Sequence, residues 1–191
     1  MPSPESGLRR TCDAAIPTDT VRAALAARRT GALVVLNAAP SGRLPDDIWS
    51  QVDVLVVNEA EAVDLVGLTE GADLLPAGNE EAAPEALASS LLALVPAVVV
   101  ALGGAGSLVV ERSGSPVRTP AVEVHAVDTT GAGDTYCGVL AAALSRGATL
   151  PDATLSAGAA GALAVTRRGA QDAVPTAAEV ETLATGRHVR P

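Results

Sequence analysis

The stretch from Val127 to Tyr136, VDTTGAGDTY, combines residue types that could bind an anion and move a proton beside it. Gly131 and Gly133 flank one alanine, and the carboxylate of Asp134 follows at once. An apolar run typical of a helix comes next, so backbone N–H groups and the positive end of the helix dipole should point out of the turn. Glycine lets an anion approach the backbone closely. Asp134 would repel that anion unless it accepts a proton from an attacking hydroxyl; the alternative is an ordinary helix cap.

Two other stretches could serve the same anion. Asn58 and Glu61 open a predicted helix directly after a buried strand. Their N-x-x-E spacing is nearly that of a capping box, with Glu61 reaching back to the cap, and the spacing alone favours that structural role. Residues 101–106, ALGGAG, predict a Gly-rich turn after another strand, for which a plain hairpin turn is the alternative.

Composition limits the class of protein. The net charge of −9 argues against nucleic acid and against an anionic membrane surface as partners. The sequence has no apolar run long enough to span a bilayer and begins without an apolar signal segment. It contains no lysine, which excludes a P-loop of the G-x-x-x-x-G-K-[ST] type. Cys12 and Cys137 lie far apart, so we expect free thiols and a cytoplasmic location.

Hydrophobic periodicity predicts alternating strands and helices. The predicted strands are residues 33–36, 52–57, 97–102, 107–111 and 117–127. The predicted helices are residues 20–29, 45–51, 58–67, 84–94, 137–144, 152–166 and 176–184, with a loop at 69–84. Short continuous apolar strands between helices indicate an α/β three-layer sandwich with a mainly parallel, Rossmann-like sheet. Ligands of such sheets gather at the carboxyl ends of the strands, where all three motifs should converge.

The string D-T-T-G-A-G-D, which ends at Asp134, closely resembles the second signature of the ribokinase-like (PfkB-type) carbohydrate kinases. The resemblance implies that Asp134 is the catalytic base and contacts the substrate hydroxyl. It also implies that the backbone of Gly131, Ala132 and Gly133 forms the anion hole for the transferred phosphate.

The N-x-x-E and G-x-x-G stretches resemble motifs of the same family that contact ATP. Asn58 and Glu61 would then be tied to Mg²⁺ and the phosphates. The ATP-binding residues implied by motif position are Asn58, Ala101, Leu102, Gly103, Gly104, Ala105, Gly106, Gly133, Asp134 and Gly158. The family usually has a hydroxyl residue where Ala101 stands, which weakens one expected polar contact.

Residues 164–175, AVTRRGAQDAVP, look like the family's loop in which backbone carbonyls and a carboxylate hold a monovalent cation. The potassium ligands implied by motif position are Asp128, Thr130, Ala164, Arg167, Gly169 and Ala173. Carbonyl and carboxylate oxygens suit K⁺. The alternative is a helix C-terminus whose arginines complement the helix dipole.

The resemblance covers residues 16–185 as the C-terminal part of such a kinase domain, with irregular tails at 1–15 and 186–191. It implies ATP-dependent phosphorylation of a sugar hydroxyl, such as ribose to ribose 5-phosphate, with a sugar and ATP as partners. Full-length members of the family would form homodimers. The family's N-terminal half, with a Gly-Gly sugar signature and a β-sheet lid, has no counterpart here. The alternative is therefore a truncated, non-catalytic nucleotide-binding remnant or half of a split enzyme.

Overall fold

The computed structural model describes residues 16–26, 32–70 and 83–186. The helices in these ranges are α1 (Thr18–Ala26), α2 (Asp46–Trp49), α3 (Glu59–Glu70), α4 (Pro84–Leu91), α5 (Ala132–Ser145), α6 (Leu150–Val165) and α7 (Ala177–Ala184). The strands are β1 (Val35–Asn37), β2 (Val54–Asn58), β3 (Ala97–Ala101), β4 (Ser107–Glu111) and β5 (Val117–Thr119). Predictions for residues 1–15, 27–31, 71–82 and 187–191, including the free thiol of Cys12, lie outside the described residues.

The five strands form one mixed sheet in the order β1-β2-β3-β4-β5. Strands β1, β2 and β3 run parallel to one another. Strand β4 pairs antiparallel with β3, and β5 pairs antiparallel with β4. Strands β2 and β3 read VLVVN and AVVVA, and all but the last residue of each is buried. Valine suits a strand that is covered on both faces, because its branched side chain packs well on a pleated surface.

Helices cover both faces of the sheet, which makes the expected three-layer sandwich. Alternate residues such as Leu55, Val57, Val98 and Val100 pack with the helices α3 and α4. Their neighbours along the same strands pack on the other face with α5 and α6. This two-sided burial is what fixes the carboxyl ends of β2 and β3 relative to the start of α5.

The predicted strand over residues 117–127 is wrong beyond Thr119. Strand β5 pairs with β4 only over residues 117–119. The backbone amides of Val127 and Asp128 donate instead to the carbonyl of Val165, at 2.7 and 3.1 Å. The end of α6 therefore accepts backbone amides that would otherwise have been available to pair with a neighbouring strand. Residues 120–127 run without sheet pairing.

Helix α3 also differs from its predicted end at Gly67, because it continues to Glu70. Gly67 is not among the glycines with positive φ, so it does not adopt the left-handed conformation that stops many helices. The buried Leu65 and Val66 keep this turn of the helix packed on the core. In the parts of the chain that the structure describes, no helix is long and apolar enough to cross a membrane.

Candidate active site

The three sequence motifs line one cavity of about 840 Å³. The predicted residues on its wall are Asn58, Glu61, Ala101, Gly103, Gly104, Gly106, Gly131, Ala132, Gly133, Asp134 and Gly158. Two of the predicted ATP-binding residues are not on it: Leu102 is buried in the core beside α3 and α4, and Ala105 is exposed in the turn. The predicted convergence of the motifs on one edge of the sheet is thus confirmed.

The Gly-rich turn before α5 presents unpaired backbone N–H groups. Gly131 is the N-cap residue with φ +73°, and no side chain caps this helix. The amide of Ala132 donates to the carbonyl of Thr129 at 3.2 Å. Among the described residues, the amides of Gly131, Gly133 and Asp134 have no hydrogen-bond acceptor. Two of the three predicted anion-hole amides are therefore unpaired, and Asp134 adds a third.

The turn is held in place by the loop that follows α6. A Cβ atom on Gly131 would meet Cα and Cβ of Ala170 at 3.0 Å, so the two backbones are in close contact. The Asp128 carboxylate joins both segments, since it accepts the amide of Thr130 and the amide of Gly169, each at 3.0 Å. These hydrogen bonds lower the pKa of Asp128 to about 2, and the bond from Gly169 has the largest effect. Asp128 is therefore ionised at neutral pH and fixes the turn to the loop.

The predicted potassium ligands Arg167, Gly169 and Ala173 lie in this loop, Ala164 lies in the last turn of α6, and Asp128 and Thr130 precede α5. None of the six is among the residues that line the cavity. Asp128 contacts Thr130 and Gly169 directly, and the carbonyl of Ala164 accepts the amide of Arg167 at 3.1 Å. Ala173 is fully buried at the far end of the loop. A carbonyl or carboxylate oxygen that accepts one N–H keeps a further lone pair. The donor set consequently fits a cation of the potassium type, although the side chain of Arg167 is paired with Glu179.

Asn58 and Glu61 form the reciprocal capping box that their spacing predicts. Asn58 Oδ1 accepts the amide of Glu61 at 2.8 Å, and Glu61 Oε2 accepts the amide of Asn58 at 2.8 Å. The second carboxylate oxygen of Glu61 has no partner in the described ranges. Capping therefore leaves oxygen atoms of this pair available on the cavity wall.

The charge of the cavity fits a divalent cation better than a bare polyanion. Its acidic wall residues are Glu61, Glu123 and Asp134, and among the residues that the structure describes no arginine or histidine lines it. Over residues 16–26, 32–70 and 83–186, no three His, Cys, Asp or Glu side chains are grouped closely enough to hold a metal ion by themselves. A phosphate-bearing ligand would therefore bring its Mg²⁺ with it, held mainly by phosphate and water oxygens.

The half-buried thiol of Cys137, a free cysteine, also lines the cavity. Burial raises the pKa of Cys137 to about 11, and the negative charges of Asp134 and Glu61 add to the shift. Both carboxylates thus lie close enough to act on one thiol. The thiol stays protonated at neutral pH, which argues against a nucleophilic cysteine here.

Some wall residues were missed by the sequence analysis. Asn37 ends β1 and lines the cavity, and the rule that ligands gather at strand ends could have identified it. Ser107 and Tyr136 join across the cavity floor by a buried hydrogen bond of 2.8 Å between their hydroxyls. No local signal predicts that bond, because it depends on how α5 lies on β4.

We expect Gly131→Ala to destabilise the fold more than Gly147→Ala does. Gly147, just after the other end of α5, has φ +85° and nothing within 4 Å of a Cβ position. It therefore reports the cost of positive φ alone, about 1–2 kcal/mol. Gly131→Ala adds the contact with Ala170, for a total of about 2–4 kcal/mol. Denaturant unfolding of both variants measures the difference, and equal losses would show that the loop is not packed firmly on the turn.

Comparison with known proteins places the chain among sugar kinases. The family model described as pfkB family carbohydrate kinase matches residues 6–177. A ribokinase from Schizosaccharomyces pombe is 35% identical over 169 residues, covering 87% of this chain and 51% of that protein.

Solved structures agree. The Thermotoga maritima ribokinase superposes with a TM-score of 0.77 at 34% identity, over 89% of this chain and 54% of its own. Arabidopsis thaliana ribokinase, solved with ribose and ATP, superposes with a TM-score of 0.74 at 29% identity, over 88% of this chain and 53% of its own. The chain spans about half the length of the curated relatives it matches. With the family model matching most of its length, the chain belongs to the pfkB family of carbohydrate kinases.

Proposed function

We propose that this chain carries the ATP-binding and phosphoryl-transfer site of a sugar kinase, most like ribokinase. The observation that carries the proposal is that the unpaired amides at the start of α5 and Asp134 lie in one cavity with the N-x-x-E and G-x-x-G segments. The Arabidopsis ribokinase, which binds ribose and ATP, supports ribose as the first sugar to test.

The amides of Gly131, Gly133 and Asp134 would donate hydrogen bonds to the oxygens of the transferred phosphoryl group and stabilise the negative charge that develops there. Their N–H groups are fixed before the reaction, so little reorganisation is needed as charge accumulates. The Asp134 carboxylate would take the proton from the sugar hydroxyl as that oxygen attacks phosphorus. The ADP oxygen leaves as the new P–O bond forms, and the proton remains on Asp134.

Metal ions would complete the site through residues already described. Asn58 and the uncapped oxygen of Glu61 would hold water on Mg²⁺, which neutralises phosphate charge when bound. The loop at 164–173, with Asp128, would hold K⁺ next to the turn. Within the chain, the close contact between Gly131 and Ala170 would keep the amides of the turn in place.

A second candidate function is nucleotide binding by this chain without catalysis. The observation favouring it is that the chain spans about half the length of its relatives. Phosphoryl transfer needs the sugar held in line and water excluded. Elements outside this chain would have to supply those contacts for transfer to occur.

We expect Asp134→Asn to bind ATP almost as well as the wild type and to lose phosphoryl transfer by about 100-fold or more, since general base catalysis typically contributes that much. Turnover should be measured with this chain joined to the N-terminal half of a ribokinase. Asp46→Asn is the control, because Asp46 also lies in the first turn of a helix but outside this cavity. Unchanged turnover of Asp134→Asn would remove it as the base.

Replacing Na⁺ by K⁺ at constant ionic strength should raise ATP affinity or turnover in the same joined chain. The physical reason is that a cation of the right size would order the 164–173 loop, which contacts Gly131 through Ala170. Identical results in the two salts would leave the loop as an ordinary helix ending whose oxygens bind no specific ion.

The 191-residue chain by itself should bind ATP weakly at most and turn over ribose negligibly, and it should tend to associate. Size-exclusion chromatography combined with an ADP-release assay on ribose tests this expectation. A monodisperse monomer with the turnover of an ordinary sugar kinase would exclude the non-catalytic alternative. Absence of ATP binding even in the joined chain would contradict both candidate functions.

A further inference from the structure

The loop that supports the Gly-rich turn is held from two sides by carboxylates. On one side Asp128 accepts the amide of Gly169 at 3.0 Å. On the other side the guanidinium of Arg167, two residues earlier, donates to Oε1 of Glu179. The Asp128 contact lies next to the turn, whereas Glu179 belongs to α7, a separate helix packed on α6.

Glu179 is itself fixed by the start of α7. Its Oε2 accepts the amide of Thr176 at 2.7 Å and the hydroxyl of Thr176 at 2.8 Å, while Thr176 caps the amide of Glu179 in return. The hydrogen bonds from Thr176, together with the hydrogen bond from Arg167, lower the pKa of Glu179 to about 2. The carboxylate is therefore charged at neutral pH and already ordered before it meets the guanidinium.

That order distinguishes this ion pair from most surface pairs. Both side chains are partly exposed, at 36% and 40%, and an isolated pair of this kind contributes little because two side chains must be immobilised. Here the capping box has already immobilised Glu179. The ion pair should consequently affect the position of Arg167 more than the overall stability of the fold.

A short series of contacts leads from Arg167 to the proposed anion hole. Gly169 donates to Asp128, which also accepts the amide of Thr130. Ala170 lies against Gly131, the first residue of the turn. Movement of the loop away from the turn would remove both supports at once.

We propose that Glu179 is a positioning residue for the anion-hole turn and acts through Arg167 and the loop at 167–170. It touches neither substrate nor the reacting atoms. The proposal rests on the proposed function for its link to ATP, but the placement of the turn can be measured without nucleotide.

Glu179→Gln and Glu181→Gln form a matched pair of variants. Both remove one negative charge from α7, and the side chain of Glu181 is exposed with no partner in the described part of the chain. Glutamine at 179 can still accept from Thr176, so the cap is retained. Amide hydrogen exchange of Gly169 and Thr130, followed by NMR without nucleotide, reports the loop and the turn separately.

In Glu179→Gln we expect both amides to exchange about three- to fivefold faster than in the wild type, and in Glu181→Gln no change. The dissociation constant of ATP with Mg²⁺ should rise by a similar factor in Glu179→Gln alone. Adding Arg167→Gln to Glu179→Gln should cause no further change, because one interaction has been removed from both ends.

Equal exchange of Thr130 in the two glutamine variants would overturn the positioning role, whether or not the chain binds ATP. Faster exchange without any change in the ATP dissociation constant would overturn the link to the anion hole. If the wild-type chain joined to the N-terminal half of a ribokinase binds no ATP, the proposed function fails, and the exchange of Thr130 alone then decides whether Glu179 places the turn.

Discussion

The candidate site depends on a helix that begins without a cap. Most helix starts satisfy their first amides with a nearby side chain, as Thr176 does for α7 and Asn58 for α3. Helix α5 has Gly131, which has no side chain, as its N-cap residue, and three amides near its start are left for a ligand. An anion at this position gains both the hydrogen bonds and the favourable end of the helix dipole.

The backbone at that point needs glycine for two separate reasons. A positive φ is easily reached only without a side chain, and a Cβ at this position would lie only 3.0 Å from Cα and Cβ of Ala170, which is tighter than most Cβ contacts. The same contact couples the turn to the loop after α6, so the geometry of the amides is decided by residues about 40 positions away. Asp128 strengthens the coupling, because one ionised carboxylate accepts amides from both segments.

The cavity wall shows that capping and ligand binding are compatible interpretations of one motif. Asn58 and Glu61 exchange hydrogen bonds with each other's backbone, yet Glu61 keeps a second oxygen for another partner. Since none of the described residues on this wall is basic, phosphate charge would have to be balanced by amides and a metal ion. This agrees with membership of the pfkB family of carbohydrate kinases and with the lack of lysine in this sequence, which excludes a P-loop.

The sequence by itself determined the elements and motifs whose signals lie within a few residues. Valine-rich runs predicted β2 and β3, and D-T-T-G-A-G-D indicated both the turn and the family, because periodicity and capping are local. Tertiary structure alone decided where residues far apart in sequence meet. It ended β5 at Thr119, paired Ser107 with Tyr136, and brought Glu179 to Arg167. Such contacts depend on how whole helices pack on the sheet, and no short stretch of sequence contains that information.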